Sequence, residues 1–542
     1  RTVEGCLLLS RGMMWLLPIV LSSLLPACDS YKILVYNPRF AHSHSNYMGS
    51  IADVLVEAGH QVTSFIPVMD EHGRDGTHKS TAIVYSKSSK RTAELYHDTM
   101  SGHHVFFHTP YLDAYSTFVV GKTFGQMFAS RCRDTLEDKE AMEKLKNEKF
   151  DLMLSEVFDM CGPGLVEVLK PKAFIAVSST IVFGLQYDEF GIPTGWSYNP
   201  SSYMYDLNVH SMWSRAKNIV SELFIRKFFS PGRYYVQQLF REKFGNKFPS
   251  LDDIVSNAAY VFSNSEPLID FAPPTIAKVI YTPALGAKPP KPLDKYWKEV
   301  MEKRQRAVLI SFGSVTPSTE LRPEAKQAIL KAAKKFPDTT FIWKYEKDDD
   351  FALKDASIVE NVVLSKWTPQ NDLLAHEKLA GFVSHGGMGS CMEAAQRGVP
   401  GVFMPLFGDQ PRNAQMMQYN GMGKVLSKFD IVHADKLIAL LREVLENKSY
   451  RERAQEISRM LAKKPYTSRD QLVKYSEFAA QFGSPHALRP QSHDMTLIEY
   501  YNLDVFATFT VALIVSTVVL AYIAIYLVKR LLRKAQKKSK TQ

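Results

Sequence analysis

Between Trp367 and Gln418 the chain reads WTPQNDLLAHEKLAGFVSHGGMGSCMEAAQRGVPGVFMPLFGDQPRNAQMMQ. No other stretch limits the fold as much. Two short apolar runs, GFV and GVFMPLF, are bounded by glycine and proline. Runs of this length without polar alternation suit strands buried on both faces of a parallel sheet. The segments between them read as helices, so the order is that of successive βα units. The turns carrying Trp367 and Gln370, His385–Ser390, and Asp409 with Gln410 then fall at the carboxyl ends of strands. Open α/β sheets bind their ligands at that end.

Each turn has a chemistry to offer. Gly386, Gly387 and Gly389 lead into a helix beginning near Cys391. Glycines let backbone approach a ligand closely, and a helix N-terminus presents unpaired N–H groups with partial positive charge. That suits a phosphate or diphosphate, with His385 and Ser390 adding side-chain donors; the bland reading is a tight structural turn. Glu393, three residues beyond Ser390, can accept from both hydroxyls of a ribose or simply oppose the helix dipole. Trp367 can stack on a base and Gln370 can read its edge with one donor and one acceptor, although a strand-end tryptophan is more often core. Asp409 and Gln410 can hold sugar hydroxyls, or cap a helix.

The first half repeats the α/β pattern. KILVYN (32–37) reads as a buried strand, PRFAHSHS as a loop, and a helix follows from about Asn46 to Gly59, with QVTSFI closing a βαβ unit. His42 and His44 lie in that loop, where an imidazole can work as a general base because its pKa is near operating pH. DLMLS is another strand, with Glu156 at its carboxyl end and Asp159 three residues on; either could orient a histidine or cap a helix. AFIAVS (173–178) and AYVFSN (259–264) continue the sheet. Residues 103–128, with Phe106, Phe107, Tyr111, Tyr115, Phe118, Phe124 and Phe128, and the stretch Phe183 to Trp213 are rich in aromatics. They suit the lining of a lipophilic pocket, or ordinary packing. VIYTPALGAKPPKPLD (279–294) is proline-rich and reads as a linker. AVLISFGS (307–314) opens the second α/β region, and Ser314 on its turn is a candidate phosphate contact. The helix around Pro323–Phe336 and the strand TFIWKY come next. Beyond Gln418, helical patterns cover Asp435–Lys463 and Ser468–Phe482.

Charge and hydropathy patterning bear on location. The net charge is +10, but Lys529, Arg530, Arg533, Lys534, Lys537, Lys538 and Lys540 supply most of it in a tail without acids. The rest is only weakly basic, which argues against a nucleic-acid surface and for a membrane-flanking segment. Just before that tail, VFATFTVALIVSTVVLAYIAIYLV (505–528) holds no charge. As a helix it spans about 36 Å, enough for a hydrocarbon core of about 30 Å. Positive-inside orientation puts the tail in the cytosol. MWLLPIVLSSLLPAC fits a secretory leader cleaved near Cys28–Ser30, with Met13 or Met14 a better start than Arg1. The body is then lumenal. Of the five cysteines, Cys6 and Cys28 leave with the leader; Cys132, Cys161 and Cys391 form no framework or metal spacing, and a Cys132–Cys161 bridge stays open. Asn447-Lys448-Ser449 is an N-glycosylation acceptor.

Taken together, W-x-P-Q, H-G-G, S-x-x-E, G-V-P, P-x-x-x-D-Q and N-A resemble the signature of the UDP-glycosyltransferase family, of the membrane-bound animal type. The resemblance implies a GT-B fold: two Rossmann-like domains facing a crevice, plus one C-terminal transmembrane helix. It implies a leader over 1–29, an acceptor-binding domain over 30–282, a linker over 283–297 and a UDP-sugar-binding domain over 298–484 whose last helix returns to the first domain. A juxtamembrane segment over 485–504, the span over 505–528 and a cytosolic tail over 529–542 complete the division. Trp367 and Gln370 would meet uracil, Glu393 the ribose, His385, Gly387, Gly389, Ser390 and Ser314 the diphosphate, and Asp409 and Gln410 the transferred sugar. Many relatives carry Asn at the position of Gly389, where only backbone can serve here. The family's Ser-His pair precedes a Gly-His pair by sixteen residues, which selects His44 over His42 because His60 follows Gly59 at that distance. Glu156 aligns with the family's Asp that holds the histidine. The expected activity is inverting transfer of glucuronate, or glucose as runner-up, from a UDP-sugar to a small lipophilic hydroxyl, a conjugation of the detoxification type. UDP-sugar is a co-substrate, and neither metal nor other cofactor is implied. The end Lys538-Ser539-Lys540-Thr541-Gln542 resembles a dilysine retrieval signal, implying a single-pass protein of the endoplasmic-reticulum membrane. The donor sugar, the acceptor and homo- or hetero-oligomerisation stay open. A non-catalytic lumenal UDP-sugar binder is the alternative; retained His44 argues against it.

Overall fold

The computed structural model describes residues 30–101, 107–111, 113, 116–204, 206–286 and 289–539. The expected leader, Phe106 and Tyr115, and the final three residues of the basic tail lie outside them. The chain divides into two units, with the break between Leu488 and Arg489.

The first unit holds two parallel sheets. One contains β1 (Lys32–Tyr36), β2 (Gln61–Pro67), β3 (Ala82–Ser86), β4 (Leu152–Glu156), β5 (Ala173–Ser178), β6 (Tyr260–Ser263) and β7 (Val279–Tyr281). Their order is β3-β2-β1-β4-β5-β6-β7. The other contains β8 (Arg306–Ser311), β9 (Thr339–Lys344), β10 (Val362–Ser365), β11 (Leu379–Ser384), β12 (Gly401–Phe403) and β13 (Gly423–Val425), in the order β10-β9-β8-β11-β12-β13. Ile33, Leu34 and Val35 of β1 and Val308 and Leu309 of β8 have no solvent exposure, as central strands covered on both faces require. In each sheet the winding reverses once, between β1 and β4 and between β8 and β11. Loops leaving the paired ends there diverge to opposite faces and open a crevice. Tyr36 of β1 pairs with Ser155 of β4, and Ser311 of β8 with Ser384 of β11. That register puts the loop after β1 beside Glu156, and the Gly313 turn beside the His385 turn.

The helices that matter for the site are α1 (His42–Glu57), α2 (Gly121–Glu137), α3 (Cys161–Leu169), α4 (Met212–Phe244), α5 (Met388–Arg397), α6 (Gln410–Tyr419) and α7 (Ser468–Phe482). Leu472, Ala479 and Ala480 of α7 are buried with Ile33, Val35 and Ile175 of the first sheet. The end of the second half of the chain thus packs on the first sheet. Cys132 of α2 and Cys161 of α3 form a disulfide with Cα atoms 5.5 Å apart, the pairing that sequence left open; Cys391 is free and buried.

Several expected boundaries move. Helix α1 starts at His42 rather than near Asn46, because the Ser45 N–H already bonds to the Ala41 carbonyl. His42 and His44 therefore stand on a helical first turn, not in a loop. The proline-rich stretch read as linker begins with β7, which pairs with β6. Only Gly401–Phe403 of GVFMPLF is strand. The pattern over Asp435–Lys463 is two helices, Ala434–Glu446 and Lys448–Ala462, with the Asn447 side chain capping the second at 3.1 Å from the Ser449 nitrogen.

The second unit holds α8 (Leu503–Ser539). It contains the uncharged run 505–528 and is, among the described residues, long and apolar enough to cross a membrane.

Candidate active site

At the first switch point, His44 Nδ1 lies 2.7 Å from Glu156 Oε1. Their side chains are 14% and 2% exposed. A carboxylate oxygen accepts, so Nδ1 carries the proton and Nε2 keeps its lone pair. The Ser179 N–H donates to the same Glu156 oxygen at 3.3 Å. Burial pulls the His44 pKa down, but the charge and hydrogen bond of Glu156, with the field of Asp409, leave it raised. Asp159 is otherwise engaged: it accepts from the Tyr36 hydroxyl at 2.7 Å and the Cys161 N–H at 2.8 Å. Burial lifts its pKa to about 6. His42 has Arg74 and Lys344 as its electrostatic neighbours. Of the two histidines and two acids, the fold brings His44 and Glu156 together.

The second switch point gathers the turns of the opening stretch. The His385 ring is pressed between two glycines. A Cβ built on Gly387 would stand 2.5 Å from His385 Nε2, and one on Gly313 2.7 Å away; Gly313 also has φ +89°. Loss of solvent and the nearby charge of Lys344 push the His385 pKa down to about 4. The ring is therefore neutral, with one N–H to donate. Gly387 is the N-cap of α5, whose first turn carries Gly389 and Ser390. Gly389 is exposed, and a Cβ there would meet nothing within 4 Å. Gln370 donates to Ser390 Oγ at 3.1 Å and to Glu393 Oε2 at 2.7 Å, which knits the WTPQ turn to α5. Trp367 is 59% exposed, so its ring face is available for stacking. Ser314 is exposed on the turn after β8.

Asp409 and Gln410 differ from one another. Asp409 Oδ2 accepts from Asn413 Nδ2 at 2.7 Å, and burial raises its pKa. Its field reaches His44. Gln410 is buried and turns its Oε1 back onto the N–H groups of Leu406 and Phe407, at 2.9 and 3.2 Å. It holds the shape of the turn that presents Asp409. Asn413 also donates to the Gly386 carbonyl at 3.1 Å, so the Asp409 turn and the His385 turn are bonded to each other.

Four features had weak or no sequence signals. Lys344, at the carboxyl end of β9, donates to the Gly313 carbonyl at 2.6 Å and lies 5.5 Å from the Trp367 centroid. Arg74, on the loop after β2, reaches the same ring from the first half at 5.8 Å. Both sit at strand carboxyl ends, the one positional clue to them. Arg412 and Asp270 form an ion pair at 2.7 Å with side chains 3% and 2% exposed. Arg412 also donates to the Pro200 carbonyl at 3.0 Å and Asn199 Oδ1 at 3.2 Å, fastening α6 to the first half. Finally, an apolar cavity is lined by Phe124, Phe128, Phe158, Phe183, Phe228 and Phe229, among others. Two of the expected aromatic stretches contribute to it, but Phe228 and Phe229 come from α4. Phe107 packs instead against Phe312 in the second sheet's core, and the Tyr111 hydroxyl donates to the Pro405 carbonyl at 2.7 Å.

Comparison with known proteins agrees with this geometry. The family described as "UDP-glucoronosyl and UDP-glucosyl transferase" matches residues 31–539. UDP-glucuronosyltransferase 3A1 of Bos taurus is 32% identical over 388 residues, covering 70% of this chain and 72% of that protein. UDP-glucuronosyltransferase 1-2 of Rattus norvegicus is 26% identical over 520 residues, covering 94% and 93%. A solved UDP-glucosyltransferase of Polygonum tinctorium, capable of glucosylating indoxyl, has a TM-score of 0.56 at 16% identity over 85% of this chain and all of that one. The fold is GT-B, and the chain belongs to the UDP-glycosyltransferase family.

Proposed function

We propose that this protein transfers a sugar from a UDP-sugar to the hydroxyl of a small lipophilic acceptor, with inversion at the anomeric carbon. The observation that carries the reading is the His44–Glu156 pair at 2.7 Å, with Asp409 of the sugar turn in its electrostatic reach. His44 Nε2 takes the acceptor proton as the acceptor oxygen bonds to the anomeric carbon. The bond from that carbon to the UDP oxygen breaks, and UDP leaves with the electron pair. Glu156 keeps the imidazole in the right tautomer and faces the cation that forms. The N-terminus of α5, the neutral His385 and Ser390 suit the charge developing on UDP. Lys344 and Arg74, both near the Trp367 ring, add positive field where the nucleotide would lie. Trp367 would stack on uracil beside Gln370, Glu393 would meet the ribose, and Ser314, Gly387 and Gly389 the diphosphate. Asp409 would hold the sugar in the turn that Gln410 shapes.

Glucuronate is the first donor sugar to test and glucose the second, since the relatives carry the first name and the solved neighbour the second. The helix α8 anchors the protein in the endoplasmic-reticulum membrane with the body lumenal. The test is transfer from radiolabelled UDP-glucuronate and UDP-glucose in microsomes to a panel of phenols and alcohols. His44→Ala should lower turnover by about 10²–10⁴, the scale of general-base catalysis, and leave UDP binding intact. Unchanged turnover at saturating substrate would sink the assignment.

A further inference from the structure

The aromatic cavity and the imidazole meet at Phe158, backed by Phe40, whose ring is 4.8 Å from that of His44 and 5.3 Å from that of Phe128. Phe158 lines the cavity. Its ring centroid is also 5.1 Å from that of His44 and 5.6 Å from that of Phe40, with which it is nearly parallel at 13°. On the cavity-lining residues it stands 5.2 Å from Phe229 and 5.8 Å from Phe128, both edge-on. His44 itself is not among the residues that line the cavity. An aromatic ring therefore stands between the base and this cavity.

The other walls have little room to give way. A Cβ on Gly121 would fall 2.6 Å from the Phe228 carbonyl oxygen, and one on Gly125 2.6 Å from the Gly232 nitrogen. Helices α2 and α4 thus meet backbone to backbone, which holds Phe124, Phe128, Phe228 and Phe229 in place. The Cys132–Cys161 disulfide ties α2 to the far end of the short loop that carries Phe158. Glu156 begins that loop as the last residue of β4 and is bonded to His44. With its backbone tethered at both ends, the loop holds the half-buried Phe158 ring against His44, Phe40, Phe128 and Phe229.

We propose that Phe158 is the specificity-determining residue for the acceptor. Its ring stacks on flat aromatic hydroxyl compounds whose oxygen reaches His44 Nε2, and it closes the cavity to thick alicyclic alcohols. The inference rests on the transferase reading given above. Truncating the ring joins the cavity to the crevice and removes the stacking surface.

The test uses full-length Phe158→Ala and Phe158→Leu enzymes in microsomes, with 4-methylumbelliferone as the flat acceptor and a saturated steroid alcohol as the thick one. In Phe158→Ala, kcat/KM for the steroid relative to the flat phenol should rise at least about tenfold, the scale at which pocket shape discriminates. Phe158→Leu should move the same way by less. The KM for UDP-sugar should stay within about twofold of the parent's, which separates acceptor selection from general damage to the fold. Should the alanine variant fail to fold, the leucine variant decides. An unchanged acceptor ratio in variants that still transfer overturns the role of Phe158 alone. A folded parent that binds UDP yet transfers to neither acceptor nor to the phenol and alcohol panel overturns the transferase reading, and this inference with it.

Discussion

Replacing Glu156 by glutamine keeps the shape of the side chain and removes its charge. The bond to His44 Nδ1 is 2.7 Å long and both side chains are largely shielded from water, so little screening weakens it. Burial alone would hold the imidazole below its ordinary 6.5; the carboxylate and its hydrogen bond, with Asp409, raise it above that value. A hydrogen bond to a charged group is worth about 1.5–3 kcal/mol. Losing the charge should thus lower the His44 pKa, because burial then acts with less to oppose it. The assay is kcat/KM for the acceptor against pH at saturating UDP-sugar. Only the neutral imidazole can take a proton, so the parent's rate should fall as pH drops through a midpoint above 6.5. In Glu156→Gln that acid limb should move to lower pH. The plateau should drop by about 10²–10⁴, because the imidazolium formed in the transition state no longer faces an anion. Parent-like plateau and limb would refute the pairing. The stability sign follows from the same shift. A raised folded pKa means the pair's contribution is complete below about pH 6.5 and is lost as pH rises through the folded value.

Two further substitutions test the frame of the site. Gly387→Ala would place a methyl 2.5 Å from His385 Nε2 and should weaken UDP binding by about tenfold or more, a cost of roughly 1.4 kcal/mol. Gly389→Asn enters open space and should bind UDP at least as tightly as the parent by calorimetry; equal damage from both would contradict the geometry. Arg412→Met leaves Asp270 as an unpaired buried carboxylate and should destabilise the protein by about 3–5 kcal/mol. The double variant with Asp270→Asn should recover part of the thermal midpoint, and simple additivity would show that the pair is not coupled.

Much of this site is legible in the chain because strand ends are legible. Short apolar runs mark buried strands, and in a parallel sheet the residues that follow them converge on one edge. Trp367, His385 and Asp409 could be placed at the crevice on that ground. Helix starts were less readable. His42 and His44 were read in a loop, yet the helix closes around them through a backbone bond no side-chain signal announces. The strands β3, β7 and β13 carry no clear signal in the sequence; each is the last strand at one edge of its sheet, where the burial pattern is weak.

What the sequence by itself determined is local: the residue types at each turn, the uncharged run 505–528, and the family those motifs resemble. Only the tertiary structure decided which groups meet. Glu156 is 112 positions from His44 and Asp270 is 142 from Arg412. The resemblance implied the first pairing and nothing in the sequence announced the second; in both, the contact itself depends on sheet order. The same holds for the acceptor cavity. Phe228 and Phe229 look like any apolar pair in a helix until close backbone contact between α2 and α4 turns them toward Phe158. Chemistry can be read from residue type, but distance is set by the fold.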